Sequence, residues 1–466
     1  MLSISTEKPF TFGCLISFYY KMPRTELVAT PALEILLDGG QNTYYAGDII
    51  SGRVVRSAPL VSSQARINVR LNGRTKSKIT VQRGQAGTSV YRGRFNLFNS
   101  EQNQKQLEDG PIHIEADGNS QGWPFTLTVP SEADPASVVY KNQQKFSYLP
   151  LGQRDITSHP LPPTFFTRGV FINTGYQCFV EYFLEAELST EAAGGAKKAD
   201  RATLPISVMT HPASDPARDS GLVRRSFLCR ISTYRFTHGE ASGSLSLGQR
   251  TREFFGSAKV PQLVFSMQVE HPTAVRVDDD NPIPFRLLVL PERLQTAESI
   301  RDAPPEIVLS GMSLEIRART DMMCASIVHP HTANQTRKFG LDLKSAIERR
   351  GEPIVIPTGE KAQPLDVGEM LDLRITEAVP LGMRPFSRRK GRLYPSFTTY
   401  NIKHVHKLRW TLTVSAAGET TEVSTEVDMT LLQGSAGGEL PPYEELMDSP
   451  ESPTATAEPM KGYGKE

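Results

Sequence analysis

The sequence predicts an all-β protein made of two β-sandwiches in tandem, followed by a disordered C-terminal tail. Three observations lead to this prediction. Apolar and polar residues alternate with period two in many short segments, turn residues separate these segments, and helical periodicity is scarce. Successive side chains leave a strand on opposite faces, so period-two alternation is typical of half-buried strands. Many short strands with regularly spaced turns indicate sandwiches.

The clearest strands are predicted at Ile67 to Asn72, Phe125 to Val129, Leu408 to Val414 and Val423 to Leu431. The one short helix is predicted at Leu341 to Arg350. Turns are predicted at the glycine-containing pairs Asn72-Gly73, Arg92-Gly93, Asp109-Gly110, Asp117-Gly118 and Ala417-Gly418.

Composition divides the chain into two domains, predicted at residues 31–188 and 204–432. Residues 189–203 lack large apolar side chains and contain two adjacent glycines, so a flexible hinge linker is predicted there. Residues 433–466 are rich in Gly, Pro, Ser and Glu. They contain almost no side chain that a core would bury, and a disordered tail is expected.

Residues 1–30 are interpreted as an N-terminal extension. The apolar run Phe10 to Tyr20 is too short to span a bilayer. Residues 1–21 are either a mis-assigned start before Met22 or a disordered extension. An interfacial anchor with a lipidated Cys14 is a further alternative.

The charge balance gives no reason to expect nucleic-acid binding. The chain has 52 Lys and Arg against 51 Asp and Glu, and a basic footprint is absent from these totals. Its four cysteines lie far apart, without a CxxC pair. Reduced thiols and a cytoplasmic location are the plain interpretation.

No candidate catalytic residue, metal ligand or cofactor site emerges. His404 and His406 share one strand face, but zinc would need further ligands, and solvated strand histidines are expected. The pair His329 and His331 is interpreted in the same way. Asp278 to Asn281 lacks the spacing of a calcium loop, so a charged turn is predicted. Nucleotide-binding, hydrolase and metalloprotease motifs are missing from the sequence.

Several strings resemble the arrestin superfamily, and its α-arrestin branch in particular. The strings are Tyr45 to Val54 (YAGDIISGRV), Trp123-Pro124-Phe125, Leu161 to Phe165 (LPPTF) with Val180-Glu181-Tyr182, and Pro395 to Ile402 (PSFTTYNI). The resemblance covers about residues 31–432 and implies two arrestin-like immunoglobulin-type sandwiches.

The resemblance implies an adaptor rather than an enzyme. Its expected partners are cytosolic regions of plasma-membrane transporters or receptors, a HECT-type ubiquitin ligase with WW domains, and ubiquitin. Such an adaptor would be cytoplasmic, recruited to the plasma membrane and endosomes, with peripheral membrane association.

The tail carries a WW-domain-binding peptide at Leu440, Pro441, Pro442 and Tyr443. Two prolines preset a polyproline II segment, so docking into an aromatic groove costs little conformational entropy. The match is of the L-P-x-Y form, and this single copy offers no avidity. Ser449 and Ser452 precede prolines and are candidate phosphorylation sites, although two ordinary Ser-Pro pairs explain them equally well.

The densest basic run contains Arg388, Arg389, Lys390 and Arg392. It is a candidate contact for anionic lipid or acidic cargo, and a solvated loop is the alternative. Two other functions stay open. One is an arrestin-fold trafficking or signalling scaffold without ligase recruitment. The other is a carbohydrate-active enzyme on a β-sandwich, for which the sequence offers little support.

Overall fold

A computed structural model describes residues 24–84, 87–116, 120–134, 137, 143–151, 159–191, 197–210, 221–237, 260–375 and 393–434. Over these residues the chain forms four β-sheets, arranged as two sandwiches in tandem. The predicted all-β fold class is confirmed. Each sandwich has a cluster of buried apolar side chains, and the cluster of the first also includes Met322, Cys324, Tyr400 and Ile402 from the second.

The described part of the first sandwich contains ten strands. They are β1 (Glu34–Leu37), β2 (Thr43–Tyr45), β3 (Ile49–Arg56), β4 (Leu60–Gln82), β5 (Thr88–Asn96), β6 (Gln104–Ile114), β7 (Gln121–Thr128), β8 (Phe165–Phe171), β9 (Thr174–Glu191) and β10 (Lys197–Met209). One sheet has the order β1-β3-β7. The other has the order β2-β10-β9-β4-β5, with β6 paired to β4 and β8 paired to β9.

The second sandwich contains eleven strands in the described part of the chain. They are β11 (Val223–Ser232), β12 (Gln262–His271), β13 (Ala274–Arg276), β14 (Arg286–Pro291), β15 (Val308–Cys324), β16 (His331–Asp342), β17 (Ile354–Val355), β18 (Leu365–Asp366), β19 (Phe397–Thr398), β20 (Ile402–Ala416) and β21 (Glu419–Leu432). Its sheets have the orders β11-β12-β14-β18 and β13-β21-β20-β15-β16, with β17 on β15 and β19 on β20.

Among the described residues, the second sandwich has three short α-helices: α1 (Glu298–Arg301), α2 (Lys344–Arg349) and α3 (Val367–Met370). Helix α2 falls inside the segment that the sequence predicts to be helical. The four predicted strands fall within β4, β7, β20 and β21, apart from Val129, which directly follows β7. Alternating burial along β20 follows the sequence pattern, with Trp410 fully buried against Phe227 and Phe285.

The predicted hinge linker at 189–203 is wrong. Residues 189–191 belong to β9 and residues 197–203 to β10, and these two strands pair antiparallel from Lys197↔Glu191 onward. The first sandwich therefore extends to about Met209. Small and charged residues can occupy paired strands when their backbone groups are bonded and one face is exposed, so composition alone indicated a linker where a hairpin lies.

The predicted N-terminal extension is also too long at its C-terminal end. Val28 forms backbone hydrogen bonds with Thr203 in both directions, at 2.9 and 3.0 Å. The amide of Thr25 donates to Glu181 Oε2 at 2.9 Å. Residues 24–30 are thus part of the first sandwich, whereas residues 1–23 lie outside the described part of the chain.

Two of the family-like strings have clear structural roles. In the first string, Gly47 has φ 90° in the turn before β3, and Asp48 Oδ2 accepts from the Tyr45 amide at 2.7 Å. A Cβ at Gly52 would clash with the Leu36 carbonyl oxygen, so β1 can pair closely with β3 only if glycine is there. In the LPPTF string, the Pro162 carbonyl accepts a hydrogen bond from the buried Tyr182 hydroxyl at 2.6 Å.

Candidate functional site

All site residues predicted from the sequence lie outside the described part of the chain. This applies to the peptide Leu440 to Tyr443, to Ser449 and Ser452, and to the basic run Arg388, Arg389, Lys390 and Arg392. Those predictions stay predictions. The described residues instead contain a basic surface that was not predicted.

This surface, here called the basic face, is the outer side of β8, β5, residues 74–82 of β4 and residues 174–183 of β9. Alternate residues of β4 and β9 point into the core, and the residues between them point outward. The register places Arg74 opposite Glu181, Lys76 opposite Arg94, and Lys78 opposite Arg92. The cations of the basic face are Arg74, Lys76, Lys78, Arg92, Arg94 and Arg168.

Glu181 is the acidic residue at the centre of the basic face. Its buried carboxylate is bonded by Arg74 at 2.5 Å and lies 3.6 Å from Lys76 Nζ. Arg74 also lies over the Phe183 ring and Lys76 over the Phe179 ring, at 4.8 and 5.4 Å from the centroids. Aromatic rings and one carboxylate therefore hold two of the cations in place.

The other cations raise the positive potential around this core. Burial, followed by the neighbouring charge of Arg74, lowers the pKa of Lys76. Burial, followed by Arg92, lowers the pKa of Lys78. Burial is the larger cause of both shifts, and the nearby like charges of Arg74 and Arg92 add to it by disfavouring the protonated form. An anion bound here would relieve that repulsion.

The sequence explains why the potential is one-sided. Residues 72–100, 156–180 and 322–341 contain no Asp or Glu, although the whole chain has nearly equal numbers of acidic and basic residues. These three acid-free segments contribute β5, β8, most of β16 and parts of β4 and β9. The segregation is visible in the sequence, and a scan for stretches without acidic residues would have found it.

A cleft of about 500 Å³ adjoins the basic face. Five of its eight lining residues have polar side chains and two are glycines. The lining residues are Lys78, Thr80, Gln82, Gly84, Gly87, Thr88, Val90 and Asn173. Lys78 belongs to both features, so the cleft continues the basic face along β4. Hydroxyl and amide groups beside an ammonium are suited to a negatively charged or polar peptide side chain.

The second sandwich is fixed to the back of this sheet by a buried polar network, here called the seam. Thr75 Oγ1 donates to Asn401 Oδ1 at 2.5 Å, and Asn401 Nδ2 donates to Ser77 Oγ at 2.9 Å. Ser77 Oγ donates to the Met323 carbonyl at 2.5 Å and accepts from Cys324 Sγ at 3.3 Å. All three polar side chains are fully buried, with their bonds satisfied.

The seam gives a role to the PSFTTYNI string. Asn401 bridges the two sandwiches, and Tyr400 stacks on Phe95 with 5.3 Å between ring centroids. A Cβ at Gly93 would come within 2.5 Å of Ser77 Oγ, so glycine is required where β5 meets the seam. The seam therefore holds the second sandwich in a fixed position against the sheet that carries the basic face.

The expectation of solvated histidines at 404 and 406 is wrong, because both side chains are buried. Thr320 Oγ1 lies 2.8 Å from His404 Nδ1, and Ser396 Oγ lies 2.8 Å from His406 Nδ1. Burial lowers the pKa of His406 to about 4 and holds that of His404 well below its ordinary value. They are neutral core residues at neutral pH.

Among the residues that the structure describes, no three His, Cys, Asp or Glu side chains come together as a metal site would require. In that part of the chain, no helix has both the length and the apolar character needed to cross a bilayer.

The family model described as "Arrestin (or S-antigen), N-terminal domain" matches residues 33–211. That range contains β1 to β10 and ends just after Met209, which agrees with the corrected boundary of the first sandwich. No curated protein is similar enough in sequence to count as a match. Residues 33–211 are thus similar to the arrestin N-terminal domain, and a second β-sandwich follows them in tandem.

Proposed function

We propose that this chain is a non-catalytic trafficking adaptor of the α-arrestin type. In this proposal it binds cytosolic regions of plasma-membrane transporters or receptors and recruits a WW-domain HECT ubiquitin ligase. The cargo is then ubiquitinated and sorted by endocytosis. The arrestin-type N-terminal domain supports the adaptor role in general.

The observation that carries the cargo half of the proposal is the basic face. Five partly or fully exposed cations and the buried Lys78 lie on the same sheet face as Glu181, and this face is suited to an acidic peptide segment. Arg92 and Arg94 are exposed, so an incoming peptide can reach them. The adjoining cleft would accept one side chain of such a peptide.

The cargo half can be tested with a charge reversal. Arg92→Glu with Arg94→Glu should weaken binding of an acidic cytosolic cargo peptide at least tenfold, because two attractive contacts become repulsive. Arg53→Glu is the matched control, since Arg53 is an exposed strand arginine on the other sheet of the same sandwich. Equal affinity of the Arg92/Arg94 variant and the control would contradict the assignment.

The ligase half rests on the tail peptide Leu440 to Tyr443. Tyr443→Ala should abolish co-purification of a WW-domain ligase, because the aromatic side chain fills one of the two pockets that read such peptides. The variant should unfold at the same urea concentration as the wild type. Undiminished co-purification would refute ligase recruitment through this peptide.

A scaffold without ligase recruitment remains the second candidate. It shares the fold and the basic face but gives the tail no role. Deleting residues 433–466 separates the two functions. A scaffold keeps cargo sorting after the deletion, whereas a ligase adaptor loses it.

A further inference from the structure

Two hairpins end in exposed apolar side chains at the same edge of the first sandwich. The β8–β9 hairpin carries Phe171 and Ile172, with Ile172 77% exposed. The β15–β16 hairpin carries Ile327 and Val328, which are 94% and 62% exposed. Together these four side chains are here called the hairpin edge. Single exposed apolar residues are ordinary, but pairs at two neighbouring tips require an explanation.

The register shows that both tips point the same way. Strand β15 reaches the first sandwich at Ala325, which bridges antiparallel to Arg92 on β5. It therefore runs toward the start of β5, and His331 on the return strand stacks on Tyr91 at 3.5 Å. The β8–β9 tip lies at that same end, because Thr174 pairs with Val81 near the end of β4.

The two tips are also close enough to touch one flat surface. Strands β8, β9, β4 and β5 are consecutive neighbours, so the outer pair is separated by three strand spacings, roughly 15 Å. The β15–β16 tip lies beside β5. A planar ligand is the simplest partner for side chains spaced in this way.

Ile172 has a backbone conformation that its side chain disfavours. Its φ is 51°, in the left-handed region, where a β-branched residue is a true outlier. The first position of such a two-residue turn strongly favours glycine. With 77% of its surface exposed, Ile172 has little packing within the chain to offset this strain.

Cations surround the apolar tips. Lys145 Nζ donates to the Val328 carbonyl at 3.2 Å, Arg83 donates to the Tyr91 hydroxyl at 3.0 Å, and Arg168 lies three residues before Phe171. The three acid-free segments supply both hairpins, so no Asp or Glu lies within either hairpin tip. Aliphatic tips within a positive rim match the interface of an anionic bilayer.

We infer that the hairpin edge inserts into the headgroup region of an anionic lipid bilayer and orients the basic face along the membrane. Ile172, Ile327 and Val328 provide the apolar contact, and Arg83, Lys145 and Arg168 meet lipid phosphates or carboxylates. This membrane contact is separate from ligase recruitment, since the tail peptide takes no part in it.

The test is flotation of the purified full chain with lipid vesicles. The wild type should float with vesicles of phosphatidylcholine and phosphatidylserine, but not with phosphatidylcholine alone, and added salt should weaken the association. Ile172→Gly and the double variant Ile327→Ser with Val328→Ser should each reduce partitioning about tenfold, because each removes buried aliphatic surface. Glycine accepts the positive φ, so Ile172→Gly should be at least as stable to urea as the wild type.

Two controls keep the result specific. Leu294→Ser removes a side chain that is 95% exposed in a loop of the second sandwich, and Tyr443→Ala removes the tail anchor. Both should float like the wild type. Failure of the wild type to bind the anionic vesicles would overturn the inference. Undiminished flotation of the two hairpin variants, or an equal loss in Leu294→Ser, would also overturn it. Ligase co-purification by the hairpin variants tests the proposed function separately.

Discussion

The seam should couple the stability of the two sandwiches, and Asn401→Ala measures that coupling. The substitution removes both hydrogen bonds of the side chain, to Thr75 and to Ser77. Thr75 Oγ1 then has no acceptor in a fully buried place, which costs about 1–3 kcal/mol, and loss of the second bond adds about 0.5–1.5 kcal/mol. We expect the free energy of unfolding to fall by about 2–4 kcal/mol.

A double-mutant cycle with Thr75→Val isolates the bond between the sandwiches. Valine replaces the hydroxyl with a methyl group of similar size, so no donor is stranded when Asn401 is also changed. The double variant should be at least about 1 kcal/mol more stable than the sum of the single effects predicts. Urea unfolding followed by tryptophan fluorescence measures each value, since Trp123 lies in the first sandwich and Trp410 in the second.

Hydrogen exchange then shows whether the loss spreads across the seam. In Asn401→Ala, amide protection should fall in β4 of the first sandwich as well as in β20 of the second, because the lost bonds join Asn401, at the start of β20, to β4. Additive energies within about 0.5 kcal/mol would refute the reasoning. So would loss of protection confined to β20.

Two further predictions concern buried positions. Burial lowers the folded-state pKa of His406 to about 4, so between pH 7 and pH 5 this histidine is protonated in the unfolded chain but stays neutral in the folded chain. As the pH falls over this range, His406 should therefore lower the free energy of unfolding by about 2 kcal/mol. Urea unfolding should show a smaller decrease in His406→Gln. Gly73→Ala should lower the free energy of unfolding by about 1–3 kcal/mol, because the new Cβ would lie 2.6 Å from the Phe98 ring. Gly340→Ala is the control. Its Cβ would have its nearest contact at 3.8 Å, so the same assay should show almost no change. A flat pH dependence, or equal effects of the two alanine variants, would contradict these assignments.

Period-two alternation was enough to predict the strands and to tell which of their residues lie on a buried face and which on an exposed face. It was not enough to predict where strands end. Asn72-Gly73 has the sequence of a hairpin turn, yet it lies inside β4, where the Phe98 and Tyr182 rings leave no room for a Cβ at Gly73. Ala417-Gly418 is a true turn between β20 and β21, with φ values of 50° and 78°. Local sequence cannot distinguish these two glycines, since tertiary packing decides between them.

The site was less predictable than the fold for a similar reason. Period-two alternation predicted that Arg70, Asn68 and their neighbours point away from the core, but not which other strands lie beside β4. The basic face exists because β8, β9 and β5, distant in sequence, bring Arg168, Arg92 and Arg94 to one surface. A charge count over the whole chain averages this segregation away, since the compensating acids lie in other segments.

The seam and the hairpin edge depend on the same strand. Strand β15 ends with Met323 and Cys324, which are both hydrogen-bonded to Ser77. The exposed residues Ile327 and Val328 follow within four positions of Cys324. The seam therefore fixes the β15–β16 tip beside β5, at the same end of the sheet as the β8–β9 tip, so that in the proposed contact both reach a bilayer together. Insertion of one tip alone gives weak, reversible binding, whereas two rigidly spaced tips combine their apolar contacts without further loss of freedom. It follows that the contact between the sandwiches sets the membrane geometry as well as the stability of the chain.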